Sequence, residues 1–287
     1  MKSEIRSFLL IMITGSLLSC KGGKIVENDL SKENLKCQVK EIKTSEFFAI
    51  EKFGELEKGL LTRRQVFKYN KMGYTSEFND YDQAGNLVNK SLDKYDDKGR
   101  LQEFIFENIE FASLYIRQIS KYDENGHKIE DNSYNLDGSL SKTIVYTYDT
   151  RGNEIESNVH DSTGALSERY AYKYDNSNKL IQQEVFSLDG KLESRQIYKY
   201  DENGNTIERD AYYVISNVYE KEVNKYDARN NLIESISPSG KIIRTYVKYD
   251  KIGNWIIGTS RLEVKDSALK TLLGSTLKLI EREIAYY

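Results

Sequence analysis

The chain of 287 residues carries 42 basic and 45 acidic side chains, which gives a formal net charge of -3. This balance argues against nucleic-acid binding, because neutralising phosphates requires a basic excess or a basic stripe. A single proline argues against a disordered Pro-rich chain. A mean hydropathy of -0.64 indicates a chain with much surface and a thin core, as in repeat proteins.

Residues 1–19 have the features of a signal peptide. A basic start is followed by an apolar run over residues 8–18, which is too short for a membrane span because a spanning helix needs about 20 residues. The run ends at Leu17-Leu18-Ser19-Cys20, which resembles a bacterial lipobox. Cleavage before Cys20 would leave it to carry two or more acyl chains, enough for stable anchoring. We therefore predict lipidation at Cys20, with an ordinary secretory signal as the alternative.

Residues 20–34 are predicted to form a lipidated tether, and residues 35–287 the folded domain. Lys21 occupies the place of the aspartate that retains some lipoproteins in the inner membrane, which favours the outer membrane and leaves its two faces open. Cys37 then has no intramolecular partner, so no disulfide framework is expected. We expect Cys37 to be a small buried residue of the first strand, with an intermolecular bridge or a reactive thiol as the alternative.

A motif of Tyr-Asp, a short turn and Gly-Asn or a near variant recurs along the chain. Its tyrosines lie 26 residues apart at Tyr122, Tyr148, Tyr174, Tyr200 and Tyr226. A fixed period in this range is typical of a repeat protein. The earlier tyrosines Tyr69, Tyr81 and Tyr95 lie at half-unit spacing, and Tyr249 closes the array after a shorter step.

The residues of this motif are predicted to be structural. The tyrosines are expected to form a ladder between neighbouring strands, with a stacking platform for sugars or an extended peptide as the alternative. The aspartate is expected to cap the turn through backbone amides, while Gly or Asn accepts the positive φ of a tight turn. The residues concerned are Tyr122, Asp123, Gly126, Tyr148, Asp149, Gly152, Asn153, Tyr174, Asp175, Tyr200, Asp201, Gly204, Asn205, Tyr226, Asp227, Tyr249, Asp250, Gly253 and Asn254.

One repeat unit shows how this pattern specifies strands. Side chains from Leu192 to Tyr200 alternate between two faces with the period of a strand. Asp201-Glu202-Asn203-Gly204 supplies a turn, and residues 206–212 form the return strand. A lighter turn such as Leu188-Asp189-Gly190-Lys191 separates successive Tyr-Asp turns. The sequence therefore predicts an all-β fold, an extended antiparallel meander of repeated β-hairpins.

The sheet is expected to hold roughly 16 strands and to curl into an open arc or spiral. Residues 38–43 favour an opening strand, and residues 281–287 a terminal one. Residues 267–279 fit either a helix or a hairpin insertion, because their leucines have helical spacing.

No catalytic cluster is recognisable in the sequence. His127 and His160 lie in or beside turns, and there is no phosphate-binding loop, Gly-x-Ser-x-Gly elbow or Cys-x-x-Cys pair. The turn at residues 201–205 superficially resembles a calcium loop, but it lacks the later bidentate Glu. We therefore predict no cofactor, no metal and no enzymatic activity.

The Tyr-Asp-x-x-Gly-Asn pattern between Tyr69 and Trp255 resembles the YD repeats of the RHS family. In large RHS proteins such repeats form a spiralled β-sheet shell around a toxin, and the resemblance implies a related sheet here. It does not carry over that function, because we recognise neither a toxin-like domain after Trp255 nor an Asp-Pro self-cleavage signature. The chain is more similar to the short stand-alone RHS-repeat lipoproteins of Bacteroidetes-type bacteria.

Taken together, these observations predict a lipid-anchored envelope protein with a binding or scaffolding role. Its partners would be the membrane, through the lipid, and a protein or glycan ligand on the face or ends of the sheet. The RHS resemblance implies the alternative of a toxin-associated or immunity-type protein. A glycan-acting enzyme is least favoured, because it needs two carboxylates about 5–10 Å apart in a cleft, whereas the acidic residues here are spread evenly through turns.

Overall fold

The structure is a computed structural model that describes residues 28–53, 55–111, 114–264 and 276–287. These ranges contain one short helix, α1 (Asp29–Lys32), and 18 strands in a single sheet. The strands are β1 (Val39–Lys52), β2 (Glu55–Tyr69), β3 (Thr75–Tyr81), β4 (Leu87–Tyr95), β5 (Leu101–Asn108), β6 (Ile116–Tyr122), β7 (Lys128–Tyr134), β8 (Leu140–Tyr148), β9 (Glu154–Asp161), β10 (Leu166–Tyr174), β11 (Leu180–Phe186), β12 (Leu192–Tyr200), β13 (Thr206–Tyr213), β14 (Val218–Tyr226), β15 (Leu232–Ser237), β16 (Gly240–Tyr249), β17 (Trp255–Val264) and β18 (Thr276–Tyr286). Most of the segment for which the sequence left helix or hairpin open, residues 267–275, lies outside the described ranges.

Each strand pairs antiparallel with the next one along the chain, and the last strand pairs with the first. On β1, Ile42 lies opposite Phe67 of β2 and opposite Ile284 of β18. The meander therefore closes into a barrel, and the all-β antiparallel fold predicted from the sequence is confirmed. The expected open arc or spiral is wrong, because pairing of β1 with β18 leaves neither strand as an open edge.

The expected number of roughly 16 strands is also too low for the described part of the chain, where 18 are present. The difference arises partly at β1 and β2, a long hairpin whose connection at Phe53 carries no Tyr-Asp signal. β1 pairs with β18 only as far as Phe48, and β2 pairs with β3 only from Arg64 onward. Residues 49–53 and 55–63 between them form a two-stranded arm that extends past these neighbours, and Phe53 is fully exposed there.

The two faces of the sheet differ in burial, as the alternation in the sequence predicts. On β12, Gln196 is only 6% exposed on the inner face, whereas its neighbours Arg195 and Ile197 are exposed on the outer face. Tyr198 and Tyr200 follow Gln196 on the inner face, where both are half-buried. Tyrosine and polar side chains therefore line the inside.

The outer face carries a ladder of ion pairs across neighbouring strands. Glu208 on β13 accepts hydrogen bonds from Lys199 on β12 at 2.6 Å and pairs with Lys221 on β14 at 2.7 Å. These two ammonium groups lower the pKa of Glu208 to about 2. The same arrangement recurs as Lys94–Glu103–Arg117 and as Lys225–Glu234–Lys241. Such exposed pairs add little stability, but they make the outside of the wall a charged, solvated surface.

A small apolar core lies at one end of the closed sheet. Leu30 of α1, Val39 and Ile42 of β1 and Tyr69 of β2 are buried there against one another. Residues 28–36, which we call the strap, cross this end before the chain enters β1. The sequence assigned most of the strap to the tether, and the structure places it against the turns of the domain.

Cys37 lies between the strap and β1 and is exposed, so the expected buried position in the first strand is wrong. The Val39 amide donates to the Cys37 carbonyl at 3.1 Å, which closes a three-residue turn centred on Gln38. Cys37 itself has a φ of 66°, outside the range of an extended strand. Cys37 therefore lies before β1 rather than within it.

Candidate functional site: the two rims and the inner face

The Tyr-Asp turns gather at one end of the closed sheet. Because the strands alternate in direction, the turns that follow even-numbered strands all lie at the same end, which we call the Tyr-Asp rim. These turns cover residues 70–74, 96–100, 123–127, 149–153, 175–179, 201–205, 227–231 and 250–254. The lighter turns lie at the other end, the opposite rim, together with the turn at residues 82–86, which also carries Tyr-Asp.

Asp149 shows how one motif aspartate organises its turn. Its Oδ1 accepts from the amides of Arg151 at 2.9 Å and Asn153 at 2.8 Å, and its Oδ2 accepts from Asn153 Nδ2 at 2.9 Å. These hydrogen bonds lower the pKa of Asp149 to about 2. Gly152 has a φ of 83°, a value that a residue with a Cβ adopts only with strain. Both oxygens of this carboxylate are therefore engaged within its own turn.

The other motif aspartates share this geometry. In each turn a side-chain oxygen accepts one or more backbone amides of the residues that follow, as seen at Asp123, Asp175, Asp201, Asp227 and Asp250. Positive φ values occur at Gly126, Gly204 and Gly253, and at Asn178 and Asn230 where the sequence lacks glycine. The side-chain amides of Asn205 and Asn231 donate back to their own aspartates, and that of Asn205 also donates to Asn230 in the next turn. The side-chain amide of Asn254 donates instead to the Lys36 carbonyl of the strap. Within the described residues, no group of three or more His, Cys, Asp or Glu is placed to hold a metal ion.

The motif tyrosines connect successive turns of the Tyr-Asp rim. Tyr148 donates its hydroxyl to the carbonyl of Lys128 at 2.7 Å, and Tyr200 donates to Leu180 at 2.6 Å. The acceptor in each case is the first residue of the strand that leaves the preceding Tyr-Asp turn. Tyr122 and Tyr226 donate in the same way to the carbonyls of Leu101 and Thr206, whereas the Tyr249 hydroxyl accepts from Asn231 Nδ2. Burial raises the pKa values of Tyr174, Tyr200 and Tyr226 to about 12. These bonds fix the distance between neighbouring turns.

We expect Tyr200→Phe to lower the free energy of unfolding by about 0.5–1.5 kcal/mol, because it removes one hydrogen bond and leaves the ring in place. Denaturant unfolding measures this. Tyr212→Phe is the matched control, because the exposed Tyr212 hydroxyl bonds only to the surface side chain of Asn217. Equal effects of the two variants would contradict a role of the Tyr200 hydroxyl in holding the rim.

A buried carboxylate organises the inner face between β6 and β8. Asp131 on β7 is 1% exposed and accepts from Ser120 Oγ at 2.6 Å and from Lys128 Nζ at 2.7 Å. The Tyr146 hydroxyl on β8 is its third donor. The sequence analysis did not single out Asp131. Its position on the inner face, set by the alternation of β7, was the available signal.

A second inner-face carboxyl, Asp93 on β4, is half-buried and has fewer partners. Its Oδ1 has no hydrogen-bond partner, and its Oδ2 accepts only from the Tyr95 hydroxyl at 3.4 Å. Burial raises the pKa of Asp93 to about 7, against the weaker opposing effect of Tyr95. The group therefore takes up a proton on folding under mildly acidic conditions.

We expect stability to fall as pH rises from about 4 to about 7, because the unfolded carboxyl ionises near 3.9 while the folded Asp93 keeps its proton. Above about pH 7 the Asp93 carboxyl is ionised in both the folded and the unfolded state, so this loss of stability no longer changes with pH. Asp93→Asn should remove it, so the variant should gain melting temperature over the parent as pH increases. Melting curves across this range test this, with Asp97→Asn in the adjacent exposed turn as control. A pH-independent difference between Asp93→Asn and the parent would contradict it.

The inner face also holds a cavity of about 300 Å³ near the opposite rim. Tyr170, Val185, Ser194 and Tyr213 face one another across β10 to β13 and form its floor. Glu168 accepts from the Tyr170 hydroxyl at 2.6 Å at its edge. The volume suits a small ligand, and aromatic faces beside a carboxylate suit hydroxyl or ammonium groups. Sequence reasoning missed this site because its residues are spread over four strands and share no motif.

The two histidines are not brought together. His127 lies at the Tyr-Asp rim, stacks on Tyr148 with ring centroids 4.9 Å apart, and places Nδ1 3.3 Å from Asp123 Oδ2. His160 lies near the opposite rim, with a ring nitrogen 3.1 Å from the Gly164 carbonyl. Both therefore have local turn contacts.

No family model matches the chain, and no curated protein matches it. Among solved structures, a porin-like protein from Bacteroides uniformis has 12% identity and a TM-score of 0.46, covering 87% of this chain and 99% of that one. A Tc holotoxin pore from Photorhabdus luminescens has 11% identity and a TM-score of 0.23, covering 72% of this chain and 16% of that one. A DUF1329 family protein from Desulfovibrio piger has 11% identity and a TM-score of 0.20, covering 86% of each chain. All three TM-scores are low, so no function is inferred from them, and the RHS resemblance stays a prediction.

Proposed function

We propose that the chain is a lipid-anchored protein of the outer membrane whose closed sheet binds a ligand or scaffolds a partner without catalysing a reaction. The observation that carries this proposal is the lipobox-like Leu17-Leu18-Ser19-Cys20, which follows a basic start and a short apolar run. In the described ranges no helix is long and apolar enough to cross a membrane.

The use of the acidic residues supports a non-enzymatic role. A catalytic carboxylate must be available to a substrate, whereas the motif aspartates hold the amides of their own turns. Several outer-face glutamates are paired with lysine or arginine, and Glu103 and Glu234 are paired on both sides. The buried Asp131 is surrounded by three donors and serves the packing of its strands.

The cavity near the opposite rim supports the binding role. Its floor combines two tyrosines with a serine and a valine, and its edge carries Glu168. A glycan presents apolar ring faces and hydroxyl groups, which match tyrosine rings and carboxylate oxygens respectively. We place the binding of a small hydroxylated ligand, such as a glycan end, in this cavity.

The membrane anchor is tested by fractionating cells that express full-length variants. Cys20→Ala should move the protein from the membrane to the soluble fraction, because a chain without acyl groups loses its anchor. Cys37→Ala is the matched control, because this second cysteine is exposed and is not preceded by a lipobox. Continued membrane association of Cys20→Ala would overturn the anchoring proposal.

The binding role is tested on a glycan array with the parent and two glutamate variants. Glu168→Gln should weaken binding, because it removes a charged acceptor from the cavity edge. Glu184→Gln should leave binding intact, because Glu184 pairs with Arg195 on the outer face. Equal binding by both variants would place any glycan site elsewhere on the molecule. The scaffolding role is tested by a pulldown from envelope extracts with the parent protein as bait, which should retain a protein partner.

A further inference from the structure

The strap is bound to one arc of the Tyr-Asp rim by side chains that reach across it. Asn28 Nδ2 donates to the Met72 carbonyl at 2.9 Å, and Asp29 Oδ2 accepts from the Thr75 amide at 2.7 Å. These bonds tie the start of the strap to the turn between β2 and β3. The Leu30 amide adds a bond to the Gly73 carbonyl at 3.2 Å.

The end of the strap is held by two further turns of the same rim. Asn34 Nδ2 donates to the Arg229 carbonyl at 2.7 Å in the turn between β14 and β15. Asn254, in the turn between β16 and β17, accepts from the Lys36 amide at 2.8 Å and donates to the Lys36 carbonyl at 3.0 Å. The strap thus spans the arc of the rim from the β2–β3 turn to the β14–β15 turn, across the junction of β1 with β18. Asn28, at its start, lies at the β2–β3 turn.

The length of the tether limits which end can approach the bilayer. Eight residue steps separate Cys20 from Asn28, so a fully extended tether spans at most about 28 Å. The nine residue steps of β16 span about 31 Å along the strand, so the opposite rim lies at the limit of this reach. Because the tether leaves from the strap, a lipid on Cys20 reaches the bilayer by the shortest path when the Tyr-Asp rim faces it.

The surface around the strap suits the headgroup region of a membrane. Basic side chains are exposed on the strap and on the turn tips that hold it, at Lys32, Lys36, Lys71, Arg229 and Lys251. Met72 and Ile252, at the tips of two of these turns, are each 41% exposed. The strap also carries two acidic side chains, exposed Glu33 and half-buried Asp29, which lies 3.7 Å from Lys32. Basic residues near an anionic bilayer are attracted to its surface, and the exposed apolar side chains of Met72 and Ile252 add to this attraction.

We propose that the arc of the Tyr-Asp rim that carries the strap rests on an anionic bilayer surface, so that the cavity and the β1–β2 arm face away from the membrane. This orientation rests on the proposed lipidation of Cys20. It leaves the ligand site and the exposed Phe53 directed toward partners in the aqueous space.

The test uses the full-length lipidated protein in vesicles of phosphatidylcholine and phosphatidylglycerol. In a Cys37→Ser background, one fluorophore is attached at Ile252→Cys or at Ser239→Cys, which lie in the turns at the two ends of β16 and are both exposed. Lipids that carry a quencher in the headgroup region should reduce fluorescence at position 252 and leave position 239 unchanged. Quenching at 239, or at neither position, would overturn the orientation.

Charge variants test the nature of the surface. Combined Lys71→Gln, Arg229→Gln and Lys251→Gln should reduce the quenching at position 252. Lys121→Gln, Lys199→Gln and Lys225→Gln on the outer wall are the matched control and should not reduce it. An equal response of both sets would contradict a specific basic contact. Flotation of the parent with vesicles separates the two proposals: a chain that does not float disproves the anchor, whereas a chain that floats with the wrong label quenched disproves only the orientation.

Discussion

Asp131→Ala is expected to lower the free energy of unfolding by about 2–5 kcal/mol, because it leaves the Ser120 and Tyr146 hydroxyls without an acceptor at about 1–3 kcal/mol each. The reason is the loss of a shared acceptor. Ser120, Lys128 and Tyr146 all donate to this carboxylate from three neighbouring strands. Without it, an ammonium group and a phenol on the inner face lose their partner. Denaturant unfolding followed by circular dichroism measures the change.

Two comparisons make the Asp131 prediction specific. Asp131→Asn keeps the size and one acceptor oxygen, so its effect should fall between those of the parent and the alanine variant. Asp189→Ala removes a carboxylate from an exposed turn on the opposite rim, where its side chain is 53% exposed, and should cost little. If Asp131→Ala cost no more than Asp189→Ala, the three-strand network would not contribute to stability.

The repeat architecture was predictable from the sequence because its signals are local. A Tyr-Asp turn is decided within about five residues, where a carboxylate accepts amides two and four positions ahead and a glycine or asparagine takes positive φ. Asp149 and Gly152 show this geometry directly. The alternation of β12 likewise assigned Gln196 to one face and Arg195 to the other without any knowledge of the neighbouring strands.

Ring closure was not predictable in the same way, because it depends on residues far apart in sequence. Ile42 and Ile284 meet only when the first and last strands pair, and neither strand carries the Tyr-Asp motif at that contact. The position of the strap was unpredictable for the same reason, because Lys36 and Asn254 form two hydrogen bonds although they are 218 residues apart in the sequence. A sequence pattern reports what a segment prefers, whereas which edges meet depends on the accumulated twist of all the strands between them.

The candidate site was the least predictable part. The cavity draws Tyr170, Val185, Ser194 and Tyr213 from four strands, and each of these residues has an ordinary structural explanation in its own strand. The alternation of each strand places these four side chains on the inner face. Whether they lie opposite one another depends on the register of three strand pairs. Bulges beside Tyr174, Phe186 and Tyr200 shift that register by single residues, and such shifts decide which side chains meet.

Ile42→Ala is expected to lower the free energy of unfolding by about 2–5 kcal/mol, because it opens a cavity in a core that has few buried side chains to fill it. Ile42 is 2% exposed and belongs to the cluster formed with Leu30, Val39 and Tyr69, where β1 joins β2 to β18. Thermal and denaturant unfolding measure the loss. Ile197→Ala is the matched control, because Ile197 is 40% exposed on the outer face of a strand of the regular array.

The same variant separates closure of the ring from stability of the repeats. If pairing of β1 with β18 depends on this core, hydrogen exchange in Ile42→Ala should accelerate first at the amides of β1 and β18. The hairpins from β6 to β12 should keep their protection, because their contacts are with sequence neighbours and include the tyrosine bonds of the rim. Uniform acceleration in all strands would instead mean that the ring unfolds as one unit, with the junction at Ile42 no weaker than the rest. Since the strap packs Leu30 on this core, local opening there would also loosen the link between the lipid anchor and the domain.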